Sequence, residues 1–393
     1  MKYTFRSHPS RMATLMATFG AGARVEFESK YPKGIAHFNE HMVFKGNAKY
    51  DAKALLWKIA AAGGSWNAFT SEDLVCFHVT IPEENLETAF ECISEIVKRP
   101  LFPAEEIEKE KEVVCQEIRM YKDDIDSLVS YAMMESVFNH SLATPVIGTE
   151  ESVRAITRDN LIDFNREFYS PEHQLITLCS LSDHRDLTEK YFGAIDEVLV
   201  RKPDLEPTYS APFEKEVVKA GQLQNIISIA FGGQKIDETI KEKAAVDVFN
   251  EVFGSGDVSR LFLKIREDMG LVYGIGSYLM DNMDGNLFCI STQTEPENAA
   301  AVIKEINNQI EIMKTTLPTA EELQSAKNKI CSAEYSNVDT SRGVAMRILM
   351  EEFLKYPTTS EYLAEVDKVT LEKVKEIAEK IFANNKYIVI GHG

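Results

Sequence analysis

The sequence contains no stretch suited to crossing a membrane. A transmembrane helix needs about 20 consecutive, mostly apolar residues, and no run of that kind occurs among the 393 residues. The segment MKYTFRSHPSRM at the N-terminus also lacks the apolar region of a secretory signal peptide. We therefore expect a cytoplasmic protein with no membrane partner.

Positive charge is also scarce. The chain has 43 Lys and Arg against 62 Asp and Glu, which gives a formal net charge of −19, and it has no basic tract. Because nucleic-acid binding needs basic side chains to neutralise phosphates, this balance argues against a nucleic-acid partner. The hydrophobic content of 44% and the charged content of 27% are ordinary for a globular protein.

Cysteine is sparse and has no pattern. The six cysteines are scattered along the chain, with no C-x-x-C pair and no dense framework. Such spacing does not predict a set of disulfides, so free and mostly buried thiols in a reducing compartment are expected.

A histidine pair is the most informative feature that is present. Residues 37–41 read HFNEH. On a helix that starts at Gly34 and ends near Lys45-Gly46, His37 and His41 share one face and can reach one metal ion. Glu40 can point into the same space as a proton acceptor. A solvated histidine pair is as good an interpretation of five residues alone, and a catalytic zinc site also requires a third protein ligand.

A charged helix that starts after Pro103 offers this ligand. Most of its glutamates form a solvated face, but Glu110 and Glu117 lie seven residues apart and therefore on one face, and Val113 and Val114 between them are expected to mark the buried side nearby. Glu117 would complete a His₂Glu site with one position open for water.

The chain divides into two halves with the same order of elements. A proline-containing segment at 201–211 predicts a linker between domains at 1–200 and 212–393. We expect an α+β fold with two similar domains, each a mostly antiparallel sheet packed with helices. The helix of the second domain that corresponds to the histidine helix, 241–253, has no histidine.

These motifs resemble the inverzincin family of pitrilysin, insulin-degrading enzyme and mitochondrial processing peptidase. The family pattern G-x-A-H-x-x-E-H-x-x-F-K-G is matched by residues 34–46, and its third ligand, about 76 residues after the second histidine, is matched by Glu117. The resemblance covers essentially the whole chain. It implies one zinc ion per chain and the fold type of the processing peptidases and LuxS-like metallohydrolases.

The resemblance also implies roles for residues outside the zinc motif. Glu110 matches a glutamate that supports the site without binding the metal. The N-A-x-T-S element at Asn67 and Ala68 matches an edge strand on which a substrate peptide pairs as an added strand. Arg266 and Tyr273 match an R-E-x-x-G-L-x-Y element whose Arg and Tyr contact the substrate near the scissile carbonyl.

The resemblance predicts a zinc metalloendopeptidase acting on peptides or unfolded segments. Single-chain relatives enclose a chamber with four such domains, so a chain of this length implies two copies, most simply a homodimer. The alternative within the family is a catalytically silent structural or peptide-binding subunit. A metal hydrolase acting on small molecules is disfavoured by the edge-strand and Arg/Tyr elements.

Overall fold

The computed structural model describes residues 1–27, 29–139, 141–196, 199, 208–233, 239–282 and 285–393. The first half of the chain contains β1 (Lys2–Ser7), β2 (Met12–Phe19), α1 (Ile35–Met42), α2 (Ala52–Ala61), β3 (Ser65–Thr70), β4 (Val75–Pro82), α3 (Leu86–Lys98), α4 (Ala104–Asp123), α5 (Ile125–Val137), α6 (Glu150–Ala155), α7 (Arg158–Phe168), β5 (Gln174–Ser180) and α8 (Arg185–Phe192).

The second half contains β6 (Phe213–Val218), β7 (Asn225–Gly232), α9 (Ile240–Asn250), β8 (Val272–Asn282), β9 (Gly285–Thr294), α10 (Ala299–Thr315), α11 (Ala320–Asn337), α12 (Ser341–Phe353), α13 (Thr359–Lys368), α14 (Leu371–Phe382) and β10 (Asn385–His392). Two further segments, Glu251–Ser255 and Phe262–Asp268, are π-helical. No helix in the described part of the chain combines the length and the apolar composition of a membrane span.

These elements form two compact units, and each unit contains a segment from the other half of the chain. The first unit comprises Met1–Met120, Thr144–Asp204 and Ser336–Tyr356, and the second comprises Tyr121–Ala143, Leu205–Tyr335 and Pro357–Gly393. Helix α12 therefore belongs to the first unit and α5 to the second. A single cut at the predicted linker does not reproduce these units, and residues 201–207 of that linker lie outside the described ranges.

The first unit is built on a five-stranded sheet in the order β1-β5-β2-β4-β3. Strand β1 runs parallel to β5, and the other pairs are antiparallel. Helix α3 packs on β2 and β4, and α12 packs on β2 and β5. Because helices flank it, β2 is almost entirely buried. Strand β3 forms one edge of the sheet.

The second unit repeats this arrangement with the strand order β6-β10-β7-β9-β8. Again the first pair is parallel and the others are antiparallel. The exchanged helix α5 packs on β10 and β7, in the place that α12 takes in the first unit. The prediction of an α+β fold with two similar, mostly antiparallel domains is confirmed.

Helix α1 positions the histidine motif. It follows Gly34, whose φ of 84° is costly for other residues and whose Cβ, if present, would lie 2.5 Å from the carbonyl oxygen of Ile147. The helix ends at Met42, earlier than the predicted end near Lys45-Gly46. The reason is a tighter turn, in which the N–H groups of Phe44 and Lys45 bond to carbonyls three residues back.

Candidate metal centre

The structure brings the three predicted metal ligands together. One ligand atom from each of His37, His41 and Glu117 lies within 4.8 Å of the others. Nε2 of each histidine is 3.9 Å from Oε2 of Glu117. Zinc bonds of about 2.0–2.2 Å in a tetrahedral site place neighbouring ligand atoms roughly 3.4 Å apart. The side chains therefore fit a zinc ion after a small closing movement.

Two helices supply these ligands. On α1, the buried Ile35, Phe38 and Met42 pack inward, which leaves the two histidines on the opposite, half-buried face. On α4, Glu110 is buried at 4% exposure, whereas Glu117, two turns later, is partly exposed. The i, i+4 spacing thus places the two histidines on one face of α1, and the i, i+7 spacing places the two glutamates on one face of α4.

The buried Glu110 orients His41. Oε1 of Glu110 lies 2.8 Å from Nδ1 of His41, and Oε2 lies 2.5 Å from Nζ of Lys45. A proton on Nδ1 donated to this carboxylate leaves the lone pair of Nε2 available for a metal. Burial alone would raise the pKa of Glu110, but the bonds with His41 and Lys45 outweigh it and lower that pKa.

The two histidines have opposite pKa shifts. Burial lowers the pKa of His37 to about 3, and the nearby His41 adds to this shift. Burial also opposes protonation of His41, but the Glu110 hydrogen bond and the Glu40, Glu110 and Glu117 carboxylates raise its pKa overall. His37 is therefore neutral at pH 7, the form that a metal ligand requires.

Glu40 is held by the edge strand. Its Oε2 accepts a hydrogen bond of 2.7 Å from Oγ1 of Thr70, the last residue of β3. Burial raises the pKa of Glu40, and the Thr70 hydrogen bond opposes that shift. A carboxyl group with a raised pKa beside a metal is suited to accept and return a proton.

Strand β3 carries Asn67 and Ala68 at the sheet edge. Asn67 is exposed and Ala68 is half-buried. The N–H of Ala68 donates to Oδ1 of Asn67 at 2.9 Å. A peptide that pairs with this edge through Ala68 must replace that local bond, so the edge is less open than its sequence indicates.

Arg266 and Tyr273 belong to the second unit, whereas the metal-centre residues belong to the first. Arg266 lies on the π-helical segment Phe262–Asp268, and its guanidinium carbon is 5.6 Å from the ring centroid of Tyr273 and 4.5 Å from that of Phe262. Tyr273 is 88% exposed. Because π-helical turns are rare and often occur at functional sites, the π-helical segment that contains Arg266 is consistent with a functional role for this residue.

Three residues that contact Glu40, Glu110 or the start of α1 were not assigned a role from the sequence. Thr70 bonds to Glu40 and Lys45 pairs with Glu110. Both lie inside the quoted motifs, N-A-x-T-S and F-K-G, so the motifs themselves offered a signal. Glu26, which contacts the start of α1, lies outside every motif and had none.

Comparisons with known proteins agree with this geometry. A family model described as insulinase (peptidase family M16) matches residues 3–150. A second, described as peptidase M16 inactive domain, matches residues 155–330. An uncharacterized zinc protease of Bacillus subtilis is 29% identical over 388 residues, covering 95% of this chain and 91% of that protein. One of Streptomyces coelicolor is 26% identical, covering 95% and 84%.

Solved structures support the fold. A protease from Helicobacter pylori has a TM-score of 0.89 at 20% identity, covering 100% of this chain and 97% of that chain. A peptidase M16 inactive domain from Pseudomonas fluorescens has a TM-score of 0.88 at 20% identity, covering 99% and 94%. The two family models follow one another along the chain, and the metal-centre residues lie in the first. The chain belongs to peptidase family M16.

Proposed function

We propose that the protein is a zinc-dependent endopeptidase. The observation that carries this proposal is the cluster of His37, His41 and Glu117 with Glu40 beside it. These three ligands would hold one zinc ion per chain. When bound, such an ion would act as a Lewis acid that lowers the pKa of a water molecule, so that the water can lose a proton and attack a carbonyl near neutral pH.

The side chains of the protein then handle the protons and the charge. Glu40 accepts a proton from the attacking water and returns it to the leaving amine, while Thr70 holds the carboxylate in place. We assign to Tyr273 and Arg266 the stabilisation of the negative charge that develops on the scissile carbonyl oxygen. The exposure of Tyr273 and its proximity to Arg266 support this role.

An extended peptide is the proposed substrate. Strand β3 ends at Thr70 beside Glu40, so a peptide added to this edge at Asn67 and Ala68 would run past the metal ligands. Peptides and unfolded segments can adopt the required extended form. Two copies of the chain would enclose the site as a homodimer, and we retain a cytoplasmic location as a prediction.

The residues of the first half argue against a catalytically silent subunit. The metal ligands and Glu40 are all present and lie within residues 3–150, which match the insulinase model. The description "inactive domain" applies to residues 155–330, which contain none of them.

Replacing Glu40 by Gln tests the mechanism. The variant should bind zinc like the parent but cleave a peptide library roughly 10²–10⁴-fold more slowly, because proton transfer is lost. Glu112→Gln, the same change on the exposed side of α4, should leave the rate unchanged. Zinc content by mass spectrometry and cleavage with and without chelator are the readouts. A Glu40→Gln variant that cleaves like the parent would refute the role of Glu40.

A further inference from the structure

A buried carboxylate holds the start of the metal helix. Glu26 is 1% exposed. Its Oε2 accepts a 2.8 Å hydrogen bond from the N–H of Gly34, and its Oε1 accepts one of 2.8 Å from the N–H of Ala36. N–H groups at a helix start have no partner within the helix and favour a negative charge. The second donor, Ala36, directly precedes the ligand His37.

The short 3-10 turn that contains Glu26 is also fastened to the end of the peptide-binding strand. The N–H of Ala23 donates to the carbonyl of Ser71, and the N–H of Arg24 donates to that of Glu72, at 3.0 and 2.8 Å. These carbonyls belong to the turn that follows β3. A Cβ on Gly22 would lie 2.5 Å from the Ser71 oxygen, so only glycine permits this approach.

A buried ion pair strengthens the same attachment. Nε and Nη2 of Arg24 lie 2.8 and 2.5 Å from Oδ1 of Asp73. The two side chains are only 2% and 10% exposed. Breaking a buried pair by removing one partner is costly because the other charge stays desolvated. Arg24 therefore fixes the 3-10 turn against the turn between β3 and β4.

We propose that Gly22–Glu26, which we call the positioning segment, sets the position of the metal helix α1 relative to the peptide-binding edge β3. Arg24 holds the end of the strand, and Glu26 holds the start of the helix. Glu26 is a positioning residue, since it contacts the backbone of α1 and none of the metal ligands. This inference rests on the proposed function, because it assigns the segment a role in that reaction.

The hydrogen bond between Thr70 and Glu40 is a second link between the same two elements. It lies near the C-terminal end of α1, with a length of 2.7 Å, and α1 also packs against β3 through other residues. The positioning segment holds the opposite, N-terminal end of α1 through the N–H groups of Gly34 and Ala36. Both ends of the helix are therefore tied to the region of β3, which keeps Glu40 in place beside a bound peptide.

The two ends of the segment predict different defects. In Glu26→Gln, an amide NH₂ replaces one accepting oxygen and faces a backbone N–H, which loosens the helix before His37. Zinc affinity should fall about 10- to 100-fold, as it does when other supports of metal ligands are removed. Arg24→Lys keeps the charge but loses the planar fork. It should raise KM for a peptide and leave zinc affinity unchanged.

Asp51→Asn is the matched control for Glu26→Gln. Asp51 caps α2 by accepting from the N–H of Ala54, so the same change from carboxylate to amide is made at the start of a helix that carries no predicted metal ligand. Burial raises the pKa of Glu26 to about 7 against the opposing bonds from Ala36 and Gly34. The measurements should therefore be made near pH 8.5, about 1.5 units higher, where the carboxylate is ionised.

Zinc affinity by competition with a chromophoric chelator and KM with a fluorogenic peptide decide the proposal. The expected result is weaker zinc binding in Glu26→Gln, higher KM in Arg24→Lys and neither change in Asp51→Asn. Parent-like zinc affinity in Glu26→Gln, or equal losses in Asp51→Asn, would overturn it. If Glu26→Gln does not fold, the test falls to Arg24→Lys, and a KM equal to that of the parent in this variant would overturn the proposal. A parent protein that neither binds zinc nor cleaves peptides would refute the proposed function itself.

Discussion

The two units of the molecule share one fold, but among the described residues only the first unit contains a cluster of side chains that could hold a metal ion. Helices α4 and α11 occupy matching places after the fourth strand and the long helix of each sheet. Their sequences can be aligned through Ala104-Glu105-Glu106 with Ala320-Glu321-Glu322, and through Val114-Cys115 with Ile330-Cys331. This alignment places Ala326 opposite Glu110 and Ala333 opposite Glu117.

The difference shows that the fold does not depend on the metal-site carboxylates. The second unit keeps the sheet order and the helices although small apolar side chains replace both glutamates. Its helix α9 follows β7 as α1 follows β2, but it buries Ala245, Val248 and Phe249 and contains no histidine. The fold therefore does not require the candidate site, and substitutions that give the first unit the residues of the second should abolish zinc binding without unfolding the protein.

Glu117→Ala gives the first unit the residue that the second unit has at Ala333, and it has the largest expected effect. Zinc affinity should fall by more than the roughly 10- to 100-fold that loss of a supporting residue costs, because a direct ligand is removed. Cleavage should be lost, while the melting temperature of the metal-free protein stays near that of the parent. Titration calorimetry with zinc and circular dichroism provide the two readouts.

The reverse change is the control for this comparison. Ala333→Glu introduces a carboxylate on α11 at the position aligned with Glu117, but helix α9 has no histidine to complete the ligand set. The variant should therefore bind no additional zinc. Binding of a second equivalent would show that the two units differ less than their helices indicate.

Truncating a buried side chain on either exchanged helix, α12 or α5, should lower the free energy of unfolding. Ile348 of α12 is fully buried in the core of the first unit, and Met133 of α5 is buried in that of the second. Truncating either to Ala should lower the free energy of unfolding by about 2–5 kcal/mol. Leu56→Ala, on the exposed side of α2, should change it by no more than about 0.5 kcal/mol.

Tryptophan fluorescence can show whether the exchange couples the two units. Both tryptophans, Trp57 and Trp66, belong to the first unit. Because each unit incorporates a helix from the other half of the chain, we expect one cooperative transition in guanidinium. Met133→Ala should then shift the fluorescence transition although it lies in the second unit. An unshifted fluorescence curve with a shifted circular dichroism curve would show that the units unfold independently.

The sequence predicted the features that depend on local periodicity. The i, i+4 spacing of His37 and His41 and the placement of Glu117 two turns after Glu110 depend only on helix geometry. The two sheets followed from the repeated order of elements. The helix exchange was not predictable, because a buried amphipathic helix such as α12 does not show in its sequence which sheet it covers.

Contacts made by the backbone were also missed. Glu26 bonds to N–H groups, and backbone donors leave no residue type in the sequence to recognise. The occupied N–H of Ala68 on the edge strand is a similar case, since its partner is the neighbouring Asn67 side chain. Motif residues such as Thr70 can be found from the sequence, but the atom that each one contacts cannot.

Glu110 of the first unit and Glu242 of the second allow a direct comparison, because both are buried glutamates bonded to lysine. The expected effect on zinc affinity is of intermediate size. Glu110 pairs with Lys45 and His41, whereas Glu242 of α9 pairs with Lys380 and Lys373. Glu110→Gln should weaken zinc binding about 10- to 100-fold by releasing the His41 ring. Glu242→Gln should leave zinc affinity unchanged. Equal zinc affinity in the two variants would remove Glu110 from the site.

The pH dependence of Glu242→Gln has the smallest expected effect. Burial would raise the pKa of Glu242, but the bonds with Lys380 at 2.6 Å and Lys373 at 3.1 Å outweigh it and lower that pKa. A carboxyl group with a lower pKa in the folded state stabilises the fold above its unfolded pKa of about 4.3 and loses this contribution as the pH falls through the folded pKa.

Urea titrations at a series of pH values check this sign. The parent should exceed Glu242→Gln in unfolding free energy by about 1 kcal/mol at neutral pH, and the difference should shrink below pH ~4. Glu311→Gln, which breaks the exposed pair with Lys314, should show no such dependence. A difference that grows on acidification would mean that burial determines the pKa of Glu242. The ionised form of this glutamate of the second unit would then be destabilised by burial. In Glu110 of the first unit, by contrast, the bonds with His41 and Lys45 stabilise the ionised form.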